Sequence, residues 1–162
     1  LWINIIMDGP PAMMLGAEPA RPGIMRDKPR QQAAQILTLH RLARLMLYGT
    51  TMMLGTLSMF HYGLETHGQP YALTLAFTTF VLFQFFNVFN ARAEHSTAFN
   101  VNFFRNGKLW LALASVLALQ ALAVHWRPVQ IIFGTTDLQS GDWLLAAAVA
   151  CSVLLQYWEI RE

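Results

Sequence analysis

Two oxygen-bearing side chains, Asn4 and Asp8, lie four residues apart inside the apolar run LWINIIMDGPPAMMLGAEP (residues 1–19), and Gly9, Pro10 and Pro11 follow at once. On a helix this spacing sets both side chains on one face. An ionised carboxylate in an apolar, membrane-length run is costly and marks a functional site by default. Pro10 and Pro11 have no backbone N–H to return to the carbonyls of Ile6 and Met7, so those acceptors lose their helical partners beside Asp8. Carboxylate, carboxamide and carbonyl oxygens suit calcium, magnesium or manganese better than soft metals. Transporters hold ions at broken helices of this kind, where irregular backbone lines a polar cavity. The pattern therefore predicts half of an intramembrane cation site, with Asn4 and Asp8 as side-chain ligands. The plainer alternative is a proline-kinked helix whose Asn4 and Asp8 only cap neighbours. That no basic residue lies near Asp8 in sequence favours the ion site.

The elements that must position this face follow from composition. The chain has 162 residues, 55% hydrophobic and only 12% charged, with mean hydropathy +0.37; soluble domains carry roughly 25% charged residues. Apolar runs fall at residues 1–16, 45–64, 71–91, 109–126 and 143–158, each near the roughly 20 residues that span a bilayer as helix. The expectation is an all-α, multi-pass integral membrane protein, a bundle of five transmembrane helices with the first broken at Gly9-Pro10-Pro11. The first run opens at Leu1 with no initiator Met and no basic leader, so it does not read as a signal peptide, and the chain reads as a C-terminal fragment.

Basic residues set the orientation, because cytosolic loops retain them. Arg21, Arg26, Lys28, Arg30, Arg41 and Arg44 fall in residues 17–44, and Arg92, Arg105 and Lys108 in residues 92–108. Residues 65–70 have no Lys or Arg, and residues 127–142 have only Arg127 against Asp137 and Asp142. Loops 17–44 and 92–108 are therefore expected in the cytosol. The net charge of +2 reflects this asymmetry and gives no nucleic-acid footprint. Pro19, Pro22, Gly23 and Pro29 keep residues 17–35 from forming a continuous helix. Residues 36–44 have apolar positions at helical spacing and read as a helix lead-in at the interface. The single cysteine, Cys151, excludes an internal disulfide and a cysteine metal cluster.

The third run carries Gln84, Asn87 and Asn90 at i, i+3 and i+6 on a Phe-rich helix. Carboxamides in lipid seek partners on neighbouring helices, worth around 0.6 kcal/mol each. Helix–helix attachment is the preferred reading for Asn87 and Asn90, whereas Gln84, nearer mid-depth, is also a candidate for the ion path. The fourth and fifth runs have no internal acid and read as scaffold, with Ala114/Ala118 and Ala146/Ala150 spaced for close helix approach. Trp110, Trp126, Trp143 and Trp158 stand at span ends, where aromatic rings anchor at headgroup level. Met46, Met52, Met53 and Met59 scatter around their helix and read as packing or lipid-facing residues, not a soft-metal route.

The opening motif resembles the sixth membrane helix of the calcium-type P-type ATPases, and WINIIMDGPPA is most similar to the secretory-pathway calcium and manganese pumps. IMRDKPR (Ile24–Arg30), TTFVLFQFFNVFNAR (Thr78–Arg92) and FFRN (Phe103–Asn106) extend the resemblance in order along essentially the whole chain. It implies membrane helices six to ten of such a pump, with Asn4 and Asp8 as ligands of transported Ca2+ or Mn2+. Where two-ion calcium pumps carry Thr and Glu, this chain carries Met7 and Gln84, which implies a single cation per cycle. The chain departs from the secretory-pathway pattern at Met13, where Gln is usual. The Asn-Ala-Arg ending of the third run is also similar to bacterial and plasma-membrane-type relatives, so a bacterial plasma membrane and a secretory-pathway membrane are both open.

The resemblance further implies partners that this sequence does not contain: membrane helices one to five, and cytosolic domains that bind ATP and Mg2+ and carry the phosphorylated aspartate. No DKTG-like motif or Gly-rich phosphate loop occurs here. The fragment alone is therefore expected to be inactive as an ATPase. Two further readings compete: a non-catalytic helical assembly domain in the bilayer, and a secondary transporter with Asp8 as proton carrier.

Overall fold

The computed structural model describes residues 9–16, 25, 38–93 and 107–159, with only the backbone described for Leu15, Arg92, Ala93 and residues 155–159. Among the described residues there are helices and short connections, and no strand. The helices are α1 (Gly9–Gly16), α2 (Leu39–His67), α3 (Gln69–Ala93), α4 (Gly107–His125), α5 (Arg127–Phe133) and α6 (Ser140–Glu159).

Pro10 and Pro11 lie within the helical backbone of α1. The start of α2 is built locally: Thr38 has extended backbone and its hydroxyl accepts from the Arg41 N–H at 3.3 Å, an N-cap that satisfies one orphan donor. The lead-in over residues 39–44 is therefore continuous with the apolar run that follows, in one helix of 29 residues. At ~1.5 Å per residue α2 is about 44 Å long. It ends at Gly68, whose φ of 86° is open to glycine and strained for other residues, and α3 begins at the next residue. The expected loop at 65–70 is thus a one-residue turn between antiparallel helices.

Among the described residues two segments are long and apolar enough to cross a bilayer, Gln69–Ala91 of α3 and Gly107–His125 of α4. Ser140–Leu154 of α6 is apolar but shorter. In α2, His40, Arg41, Arg44 and several Thr, Ser and Gly residues dilute the apolar character that its length would otherwise support.

α3 is the central helix: it packs on α2, α6 and α4, while α2 also meets α6, and α1 lies on α4. These contacts bury about half of α3, including its polar residues Thr74, Thr78, Thr79 and Asn90. The α2–α3 seam is made by a stripe on α2, Met52, Gly55, Met59 and Gly63, at helical spacing. A Cβ on Gly63 would stand 2.8 Å from the Ala72 Cα, and one on Gly55 would stand 2.5 Å from the Phe83 ring. The two glycines are what allow the helices to approach so closely. Met52 and Met59 are buried in this seam, whereas Met46 and Met53 are exposed, the scatter expected of packing residues.

The structure corrects one packing expectation. Ala146 and Ala150 are fully buried, as their spacing suggested, but Ala114 and Ala118 are exposed. The buried face of α4 runs through Leu109, Leu113, Val116, Gln120 and Val124, and the alanine pair faces away from it.

Candidate functional site

Asn4, Met7 and Asp8 lie outside the described residues, so their geometry is not part of this structure. The helix that follows them in the chain, α1, is described. α1 rests on α4 and places Met14 against the cluster of Phe89, Leu109 and Leu113. Gln84 stands five residues from Phe89 on α3, about 7.5 Å along the axis at ~1.5 Å per residue. Gln84 and Asn87 are half-buried. Neither forms a hydrogen bond among the described residues. Asn90 is buried and donates from Nδ2 to the Val153 carbonyl at 3.0 Å, tying α3 to α6 as its helix-attachment reading required. The three carboxamides therefore do different things despite their common stripe.

A second buried carboxamide, Gln120 of α4, donates from Nε2 to the Thr78 hydroxyl at 3.1 Å, and both residues are fully buried. Its Oε1 has no hydrogen-bond partner among the described residues. This α3–α4 link was not singled out from sequence, because one Gln among LALASVLALQALAVH gives no periodic signal. Thr78 on α3 was the available cue: an in-register hydroxyl on the neighbouring apolar helix.

The densest polar constellation lies at the end of the bundle where α2 passes to α3 and α4 to α6. The hydroxyl of Tyr71, in the first turns of α3, donates to Oδ2 of Asp142 in the first turn of α6, and Asp142 is buried. The same hydroxyl accepts from the Gln139 N–H at 3.1 Å. The Gln139 side chain reaches His67 Nε2 at 3.3 Å, and the His67 ring stacks on Tyr71 with centroids 4.3 Å apart. Lower on α3, the Thr74 hydroxyl donates to the Pro70 carbonyl at 3.0 Å and accepts from the Thr136 N–H at 3.0 Å. The run 134–139 is thus stitched to one face of α3.

Beside it, the Trp143 indole N–H donates to His125 Nε2 at 3.2 Å, while His125 Nδ1 stands 2.5 Å from Asp137 Oδ1. An acceptor Nε2 leaves the proton on Nδ1, so the geometry selects the tautomer that donates to Asp137. Both partners of that pair are largely exposed, which limits its energetic weight. Asp142 differs, being a buried carboxylate with no cationic partner among the described residues. The Tyr71 hydroxyl and the N-terminal end of α6 are what stabilise its charge.

Sequence reading left Asp137 and Asp142 in a loop. What it missed is that Asp142 turns inward at the helix start, one residue before the belt residue Trp143. Among the described residues no group of three or more His, Cys, Asp or Glu is arranged to hold a metal ion. The hydrogen bonds among Tyr71, Asp142, Gln139 and His67 make the polar end a clasp.

Comparison with known proteins matches residues 1–161 to the family described as cation transporting ATPase, C-terminus. The chain is similar to calcium-transporting ATPase type 2C member 2 of Mus musculus, 36% identical over 166 residues, covering 98% of this chain and 18% of the relative. It is similar to calcium-transporting ATPase type 2C member 1 of Homo sapiens, 33% identical over 156 residues, covering 96% of this chain and 17% of the relative. It also resembles calcium-transporting ATPase 1 of Saccharomyces cerevisiae, 35% identical over 157 residues, with 96% and 16% covered. The chain spans less than a fifth of the length of each of these relatives. By the match over nearly its whole length, the chain belongs to the cation-transporting ATPase family, to the part described as its C-terminus.

Proposed function

We propose that this chain is the C-terminal membrane region of an ATP-driven divalent-cation pump, and that it supplies part of the intramembrane site for calcium or manganese. The observation that carries the reading is the pairing of Asn4 with Asp8 ahead of Gly9-Pro10-Pro11, in a chain whose relatives are named calcium-transporting ATPases. Asp8 supplies the charge and Asn4 a neutral oxygen on the same helix face. The Ile6 and Met7 carbonyls supply the rest of this half-site, and the remaining ligands come from helices one to five. Met7 and Gln84 bring no anionic oxygen, which fits one cation per cycle. ATP and Mg2+ act in the cytosolic domains of the whole pump, and this region has no hydrolytic activity alone.

In this reading the apolar runs form five spans in a multi-pass membrane protein. Residues 17–44 and 92–108 face the cytosol, and the Tyr71–Asp142 clasp faces the opposite side. α3, α4 and α6 are the scaffold against which α1 is seated, which gives the buried contacts of Asn90 and Gln120 a purpose in holding the ion helix. The test is Asp8→Asn in the full-length pump, reading calcium- or manganese-dependent phosphorylation from ATP. Loss of cation dependence with normal expression supports the ligand role. Unchanged cation affinity with reduced folding yield supports the assembly-domain reading instead.

A further inference from the structure

The short helix α5 carries a group of exposed apolar side chains that the pump reading does not use. Ile131 and Ile132 are 78% and 76% exposed, and Trp126 and Phe133 are about half exposed. A helix with no buried residue and two adjacent exposed isoleucines is an unusual connection if it stands in water. Its position explains the composition. The Gln130 side chain donates to the Val124 carbonyl, and the Thr135 hydroxyl to the Ala123 carbonyl. Both acceptors belong to the last turn of α4, inside the apolar segment Gly107–His125. Gly134, with φ of 65°, turns the chain back, and Leu138 is buried in the main core. α5 is therefore folded down beside the final turn of α4, between Trp126 and Trp143.

We propose that α5 is an interfacial lipid anchor, with Ile131, Ile132 and Phe133 set into the headgroup–acyl boundary of the leaflet at the clasp end. The occupant follows from continuity and chemistry. The exposed face is level with an apolar span end, is bordered by an indole at Trp126, and carries Arg127 four residues before Ile131 on the same helix face. Apolar tips beside a cation match the acyl chains and phosphates of a lipid surface. Fixing α5 in the bilayer also fixes the 134–139 run that pins α3 to the start of α6, so lipid would brace the clasp from outside.

The inference rests on the reading that α4 crosses the bilayer, and the experiment separates the two. p-Benzoylphenylalanine is placed at Ile131 or Ile132 of the full-length protein in its native membrane. Ala118, exposed midway along α4, and Glu65, 68% exposed near the end of α2, serve as references. After irradiation, peptides are analysed for phospholipid adducts and gels for protein cross-links. Lipid adducts at 131, 132 and 118, and their loss at 65, are expected. Adducts at 118 with none at 131 and 132, or a protein cross-link at those two positions, overturn the anchor while leaving the span intact. Absence of lipid at 118 removes the span itself, and the anchor with it.

Discussion

Replacing Gly63 by alanine should destabilise the protein, whereas the same change at Gly49, fourteen residues earlier in α2, should not. In the interior of a helix, glycine to alanine normally stabilises by roughly 0.5–1 kcal/mol through backbone entropy. That term is common to both sites. At Gly49 a new Cβ meets nothing within 4 Å, so the gain stands. At Gly63 the new carbon would lie 2.8 Å from the Ala72 Cα and 3.3 Å from both the Ala72 Cβ and Leu75 Cδ2. Carbon atoms prefer separations of about 3.5–4.0 Å, so α2 and α3 must part by roughly 1 Å at this point. The nearest atom is backbone, so no rotamer change relieves the contact. Overpacking of this kind costs about 1–3 kcal/mol. Because the entropy gain is common to both sites it cancels in the comparison, and Gly63→Ala should fall below Gly49→Ala by roughly 1–3 kcal/mol. The assay is thermal denaturation of the detergent-solubilised full-length protein, followed by size-exclusion recovery at matched heating times. The expected order is Gly49→Ala at or above wild type, and Gly63→Ala clearly below. A Gly63→Ala variant as heat-resistant as Gly49→Ala would refute the close α2–α3 approach.

Further outcomes follow from the buried polar groups. Tyr71→Phe removes the donor that holds the buried Asp142 carboxylate, and should cost about 1.5–3 kcal/mol, the range for hydrogen bonds to charged groups. Asp142→Asn in the same background should cost much less than it does alone, so a double-mutant cycle in thermal stability should show positive coupling; strictly additive losses would contradict the pairing. Gln120→Met keeps the volume and removes the Nε2–Thr78 hydrogen bond, worth about 0.5–1.5 kcal/mol, together with an Oε1 that has no partner among the described residues; the two effects offset, so the loss should stay below that of Tyr71→Phe, and an equal or larger loss would contradict the unpaired Oε1. Asn90→Leu breaks the tie to Val153 and should lower stability by around 0.6 kcal/mol, at most about 1.7. Measured cation affinity should not move in that variant, because Asn90 is a seam residue and not a ligand.

How much of this was legible beforehand differs by the range of the interaction. Runs of apolar residues, their lengths and the grouping of basic residues are local properties, so helices at α2, α3, α4 and α6 could be read directly. The cap at Thr38 and the turn at Gly68 are local as well. The candidate ion face rests on the same kind of local argument: a four-residue spacing would set Asn4 and Asp8 on one face of a helix, and those two residues lie outside the described ones. Family membership rested on those same contiguous motifs.

What only tertiary structure decided is rotation and register between helices. Ala114/Ala118 and Ala146/Ala150 have identical spacing, yet one pair is exposed and the other buried, because spacing sets a face and not the direction in which it points. Gln84, Asn87 and Asn90 share one stripe, but only Asn90 is level with the Val153 carbonyl. Tyr71 and Asp142 are 71 residues apart, and no local pattern brings a phenol to a carboxylate across that distance. Sequence by itself determined which of the described segments must be helical. The packing of α3 among three neighbours decided which polar atoms meet, since a buried group must find its partner wherever the assembled helices place one.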